Sequence, residues 1–211
     1  MLRRNLLIAS NNTHKITEIQ AVLTPILLPY QISLVPQGEL DIPEAEEPYN
    51  SFVENALTKA RNASRISGLP ALADDSGLLV DVLKGEPGVH SAVYAGLPRS
   101  DDKNNQKLRS MIQGQTNKNA RFVCCLVMVR WESDPLPMIA HGVWHGEITE
   151  QPRGAQGFGY DPLFYVPSLN KTVAELSLVE KNQLSHRAKA LEDLTQQLAR
   201  YPDWLSSVFT R

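Results

Sequence analysis

Apolar positions along the chain change their period several times, and each change predicts an element. Residues 5–10, NLLIAS, form a short apolar run that stops at a polar cluster. From Thr13 the spacing turns helical, with Ile16, Ile19, Val22 and Leu23 on one side. This predicts strand, loop and helix in succession, with Pro25 and Pro29 ending the helix. ISLVP, 32–36, predicts a second strand, and QGELDIPEAEEPYN, 37–50, an acidic loop broken by prolines. Across 50–68, Phe52, Ala56, Ala60, Ala63 and Ile66 share one stripe, Asn55, Lys59 and Asn62 share another, and Gly68 supplies a stop. A helix is expected there.

In ALADDSGLLVDVL, 71–83, two apolar runs flank Asp74, Asp75, Ser76 and Gly77. The expected arrangement is a buried strand ending at the acids, then a second run. A turn-rich stretch, 84–100, leads to a polar helix around 101–113. ARFVCCLVMVRW, 120–131, and MIAHGVWHGEIT, 138–149, predict two strands joined by ESDPLP, an exposed hairpin-like connection. Residues 151–167, QPRGAQGFGYDPLFYVP, predict a glycine-rich loop without a regular element. The last helix would carry Leu184, Ala188, Leu191, Leu194 and Leu198 as its stripe. The whole predicts an α/β chain with a mixed sheet, and there are no internal repeats.

Composition narrows the function classes. The 211 residues, 42% of them hydrophobic, suit one α/β domain or two small lobes. A net charge of −2 provides no sequence-wide basic field for nucleic acid, so any phosphate chemistry has to use local donors or a metal. The apolar run near the start stops at Ala9, too short for a signal peptide or a membrane span, and a cytoplasmic protein is expected. Cys124 and Cys125 are adjacent in a strand and point to opposite faces. They read as small core residues rather than a disulfide or zinc pair.

Four segments carry candidate chemistry. Ser10, Asn11, Asn12, Thr13, His14 and Lys15 join a strand to a helix, where backbone N–H groups, the helix dipole and a lysine can meet an anion. Taken alone, the segment is ordinarily a well-capped helix. Asp74, Asp75 and the loop acids Glu44, Glu46 and Glu47 are oxygen donors suited to a hard divalent ion such as Mg2+. For Glu44 and Glu47 a solvated acidic loop is the simpler reading. Asp75, followed by Ser76 and Gly77, is harder to dismiss. Phe158, Gly159, Tyr160 and Asp161 put aromatics and a carboxylate on a glycine-rich loop, as a planar base requires or as a packed turn provides. Lys181, His186 and Arg187 offer donors near the start of a helix, off its predicted apolar stripe. Anion donors, metal carboxylates, an aromatic platform and base-edge donors together describe a nucleoside triphosphate.

SNNTHKITEI, FVENALTKA, ADDSGLLVDVLKGEPGVHSA, GFGYDPLF and AELSLVEKNQLSHRAKAL resemble, in order and spacing, the motifs of the inosine triphosphate pyrophosphatase (Ham1-like) family, particularly its bacterial branch. The resemblance covers nearly the whole chain. It implies a single domain over 1–211 with a long, mixed, twisted sheet flanked by helices, two lobes with a central cleft, and a homodimer. It also implies Mg2+-dependent hydrolysis of dITP, ITP and XTP to the monophosphate and pyrophosphate. Carried over by position, residues 10–15 bind phosphate, Glu46 and Asp75 hold the metal, and Asp75 matches the general base. Ser76 touches substrate, Phe158 to Asp161 hold base and sugar, and Lys181, His186 and Arg187 complete the pocket. Val93 stands where the family usually has arginine, and Ala188 where glycine is common. A catalytically silent nucleotide sensor and a pyrophosphatase for other altered nucleotides are the alternatives.

Overall fold

The computed structural model describes residues 4–204. Residues 1–3 of the N-terminal run, and the last seven of the 1–211 span, lie outside the described residues. Seven strands form one mixed sheet: β1 (Arg4–Ile8), β2 (Ile32–Pro36), β3 (Ala71–Val80), β4 (Asn119–Val129), β5 (Met138–Ile148), β6 (Phe164–Val166) and β7 (Lys171–Thr172), in the order β2-β1-β3-β4-β5-β6-β7. β1 runs parallel to β2 and β3, whereas β6 pairs antiparallel with both β5 and β7. The helices are α1 (Thr13–Leu27), α2 (Phe52–Ser67), α3 (Asp101–Ile112), α4 (Leu178–Leu184) and α5 (His186–Arg200).

The chain divides into two compact units. The first comprises residues up to Asp75, Cys124–Gly142 and the chain from Arg187; the second comprises Ser76–Val123 and Val143–His186. In the first unit, strand alternation builds two cores. Leu6, Ile8, Leu72, Cys124 and Leu126 pack with α1 and α5, while Leu7, Ala71, Ala73, Cys125 and Val127 pack with the alanine stripe of α2. The two cysteines thus face opposite ways, as their adjacency requires. The second unit has one core, where Leu78, Leu108, Phe122, Trp144, Tyr160 and Phe164 meet. Helix α2 matches its expected bounds: Ser51 caps it by accepting from the Glu54 N–H, and Gly68 closes it at φ 69°.

Four expectations need correction. Pro25 lies inside α1 rather than ending it: only Ile26 and Leu27 follow it, Leu28 N–H still reaches Thr24 O, and fully buried Leu27 anchors the helix end. β3 is one ten-residue strand, so Asp74 and Asp75 sit within it. They nevertheless lie past the end of a neighbour, because β1 pairs with β3 only as far as Leu72. The stretch 151–167 is not wholly irregular, since Phe164–Val166 add a strand with Phe164 and Val166 inward. The last helix is two: α4 ends at Leu184, which is exposed, with Ser185 as its C-cap, and the buried stripe of α5 runs through Arg187, Ala190, Leu191, Leu194 and Leu198. Arg187 therefore opens the core stripe instead of lying off it.

The connection between β4 and β5 is tied down by Asp134. Its carboxylate accepts from the Arg130 and Leu136 backbone N–H groups, each at 3.0 Å, and from the Arg130 guanidinium. No helix among the described residues is long and apolar enough to cross a membrane.

Candidate functional site

In the first unit the strand-to-helix loop after β1 is a closed cap. Asn12 Oδ1 accepts from the His14 and Lys15 N–H groups at 3.0 and 3.2 Å, and Ser10 Oγ accepts from Asn12 N–H at 3.1 Å. The ordinary capped-helix reading describes this backbone, so a phosphate here would rely on side chains. Asn11, Thr13 and His14 are exposed, and Lys15 reaches inward to place Nζ 2.5 Å from Asp74 Oδ1.

The adjacent aspartates have opposite surroundings, because successive residues of a strand face opposite sides. Asp74 is fully buried. Besides Lys15 it accepts from Arg187 Nε at 2.8 Å and from Cys124 Sγ at 3.1 Å. Burial works against its charge, but Arg187 and Lys15 outweigh that and hold the carboxyl well below its usual range. Arg187, equally buried, bonds also to Glu18 of α1. Its guanidinium, expected to serve the base, is held here by two carboxylates from other elements. Both alternate faces of the strand being core or charge-paired, Cys124 and Cys125 have their thiols pushed up by burial, Cys125 to about 12, and are inert.

Asp75 faces Lys59 of α2, whose Nζ is 3.6 Å from Asp75 Oδ1 and 3.1 Å from Glu47 Oε2. Burial pushes the Asp75 carboxyl up to about 6; Glu47 and Asp74 add to the rise, and Lys59 and Lys15 oppose it. Neighbouring carboxylates with pKa values pushed apart are a recurrent sign of divided roles, one structural charge and one proton acceptor.

Two loop acids expected to be merely solvated are tied to the site: Glu47 through Lys59, and Glu44 through a 3.0 Å bond from Asn11 Nδ2. Glu46 is exposed and makes no ion pair among the described residues. Among the described residues no three His, Cys, Asp or Glu side chains gather as a metal cluster. The donor chemistry nonetheless fits a hard divalent ion, which takes one or two carboxylates and completes its shell with substrate phosphates and water.

The second unit holds the other candidates, with Ser76 half-buried on β3. The loop at 157–161 turns on glycines in the left-handed region, Gly157 at φ 80° and Gly159 at φ 62°. At Gly157 a Cβ would lie 2.0 Å from Asp161 Oδ2, so only glycine fits. That carboxylate oxygen accepts from Phe158 N–H at 3.0 Å and from buried Lys181 Nζ at 2.8 Å, and Nζ stands 4.5 Å from the centre of the Phe158 ring. Lysine, aspartate and aromatic thus form one assembly. Tyr160 stands apart from it: its ring is in the core and its hydroxyl donates to Ser91 O at 2.8 Å. His186 stacks on Phe122, ring centres 4.9 Å apart.

Sequence reasoning passed over Glu18 and Lys59. Lys59 had a visible signal, its place with Asn55 and Asn62 on a polar stripe of α2. Glu18 had none, since its partner lies 169 residues away.

Comparison with known proteins identifies relatives of the whole chain. A chain from Ralstonia nicotianae named dITP/XTP pyrophosphatase is 54% identical, over 92% of this chain and 96% of that one. One of the same name from Nitrosomonas europaea is 52% identical, over 92% and 94%. The structure of a HAM1 protein from Coxiella burnetii superposes with a TM-score of 0.87 at 45% identity, covering 93% of this chain and 99% of that one. The family model described as Ham1 family matches residues 6–197, and the chain belongs to that family.

Proposed function

We propose that this chain is a nucleoside triphosphate pyrophosphatase that hydrolyses deaminated purine nucleotides, dITP, ITP and XTP, to the monophosphate and pyrophosphate. The observation that carries the catalytic reading is the pair of neighbouring buried aspartates with different partners, Asp74 held by Lys15 and Arg187, Asp75 facing Lys59 and the acidic loop. A protein that only binds nucleotides has no need to bury a second carboxylate beside the first. In this reading Asp75 accepts the proton of the water that attacks the α-phosphorus, and Lys15 and Lys59 offset the charge of the departing pyrophosphate. Asp75 and Glu46 would hold Mg2+, which when bound neutralises phosphate charge and polarises the reacting phosphoryl group. Phe158 supplies a stacking face for the base, with Asp161, Lys181 and His186 as polar partners, and Ser76 contacts the substrate.

A homodimer and a cytoplasmic location belong to the same reading and rest on the family. A panel of dITP, ITP, XTP, dATP and dGTP with pyrophosphate detection tests it. Release is expected from the first three, abolished by EDTA and restored by Mg2+, and Asp75→Asn is expected to lower kcat on the order of 10²-fold or more. Binding of ITP without pyrophosphate release would identify a sensor instead. Light scattering is expected to give twice the 23.5 kDa chain mass.

A further inference from the structure

Helix α3 lies outside every segment assigned so far, yet two of its side chains close on one residue of the 157–161 loop. Asp101 Oδ2 accepts from the Gly159 N–H at 2.7 Å, and Asn105 Nδ2 donates to the Gly159 carbonyl at 2.8 Å. Asp101 and Asn105 are four residues apart, hence on the same helical face. We propose that they are positioning residues that set the orientation of Phe158 and so the affinity for the base, an inference that rests on the reading of this loop as the base-holding element.

The physical need for such a clamp comes from the loop itself. Gly159 has a backbone φ of 62° and open space where a Cβ would be, so neither a side chain nor a steric wall selects its conformation. Glycine samples both signs of φ readily, and a peptide flip at 159 would re-aim the ring one residue earlier. Two bonds, one to each polar group of Gly159, remove that freedom. Each end of the clamp suits its task. The carboxylate of Asp101 forms a charge-assisted bond with an N–H, stronger than a neutral pair. The amide of Asn105 has only one workable orientation, because reversing it would set Oδ1 against the Gly159 carbonyl; as placed, Oδ1 is buried without a hydrogen-bond partner among the described residues. An amide oxygen left so costs stability, which the bond to Gly159 has to offset. Ser100 already caps α3 by accepting from Lys103 N–H, so Asp101 is not needed for that purpose.

The test combines steady-state kinetics on ITP and ATP with amide hydrogen exchange. Asp101→Ala is expected to raise KM for ITP about tenfold, as losing one charge-assisted bond implies, with kcat kept within about twofold. It is expected to raise KM for ATP by a similar factor and to speed exchange of the Gly159 amide. Asp101→Asn, which keeps an acceptor oxygen, is expected to recover most of the KM. Asn105→Leu is expected to raise KM by a smaller factor, and it carries the comparison should Asp101→Ala fail to fold. A lowered melting temperature with wild-type KM in both Asp101→Ala and Asn105→Leu makes these residues structural and overturns the proposal. Phe158→Ala separates the two levels: if it raises KM while the α3 variants do not, the clamp alone falls, and if it leaves KM unchanged, the reading of the loop falls and the clamp with it.

Discussion

The two units hold their functional groups by different physical means. In the first, charges stand on regular elements and are fixed by one another: Glu18 and Lys15 on α1, Asp74 on β3 and Arg187 at the head of α5 form a chain of alternating sign with hardly any solvent contact. In the second, an irregular loop is fixed chiefly through its backbone, with Asp161 taking the Phe158 N–H and α3 taking both polar groups of Gly159. Buried opposite charges are costly to desolvate and costly to break, so they give rigid placement at the expense of tolerance. Backbone-held glycine turns are less demanding and more easily adjusted. The difference matches the proposed division of labour, in which phosphate chemistry needs fixed charges and base selection needs a shaped surface.

The largest expected effect breaks the first unit's chain. Arg187→Met leaves Asp74 and Glu18 buried with one cation removed, and losing one partner of a buried pair costs about 3–5 kcal/mol. A fall in melting temperature on the order of 10 °C is expected by calorimetry. A variant as stable as the parent would show that the chain is not what fixes this region.

Next in size, Phe158→Ala removes the stacking face of the second unit while leaving its Asp161 and Lys181 pair. Base stacking on an aromatic contributes about 1–3 kcal/mol, so KM for ITP and for ATP should rise together by tenfold or more, with little change in melting temperature. A drop in stability comparable to that of Arg187→Met would erase the contrast between the units.

The smallest effect sharpens the comparison within the first unit, where Asp134 holds a loop by backbone N–H groups much as Asp161 does in the second. Burial pushes its carboxyl up, but bonds from Arg130 and from the Arg130 and Leu136 N–H groups outweigh this, and its pKa is lowered in the folded protein. A carboxyl lowered on folding adds stability that is full above its unfolded value of about 3.9 and fades as pH falls through the folded value. Asp134→Asn is expected to cost about 1 kcal/mol at pH 7 by chemical denaturation, with the gap to the parent closing below about pH 4. A gap that persists unchanged at low pH would assign the effect to packing.

Much of the architecture was legible in the periodicity of the chain. The alternation in β4 placed Cys124 and Cys125 on opposite faces, the spacing in 50–68 located α2 with its glycine stop, and the glycines around Phe158 marked a loop with a special shape. Periodicity states which face of an element is apolar, and glycine states where φ is unusual, and both are local properties. Which charge meets which is not local. Asp74 and Asp75 are adjacent carboxylates in the sequence, and their surroundings differ because Arg187, 113 residues from Asp74, arrives on one side and Lys59 on the other. Arg187 is expected off the apolar stripe because arginine in a first turn usually keeps its donors for solvent or a ligand. Only the approach of two carboxylates from separate elements makes its place on the buried stripe of α5 tolerable, and Tyr160 likewise became core because its hydroxyl finds the Ser91 carbonyl. The pattern along the chain specifies elements and faces, whereas the pairing of buried polar groups depends on long-range contacts that exist only once those elements have packed.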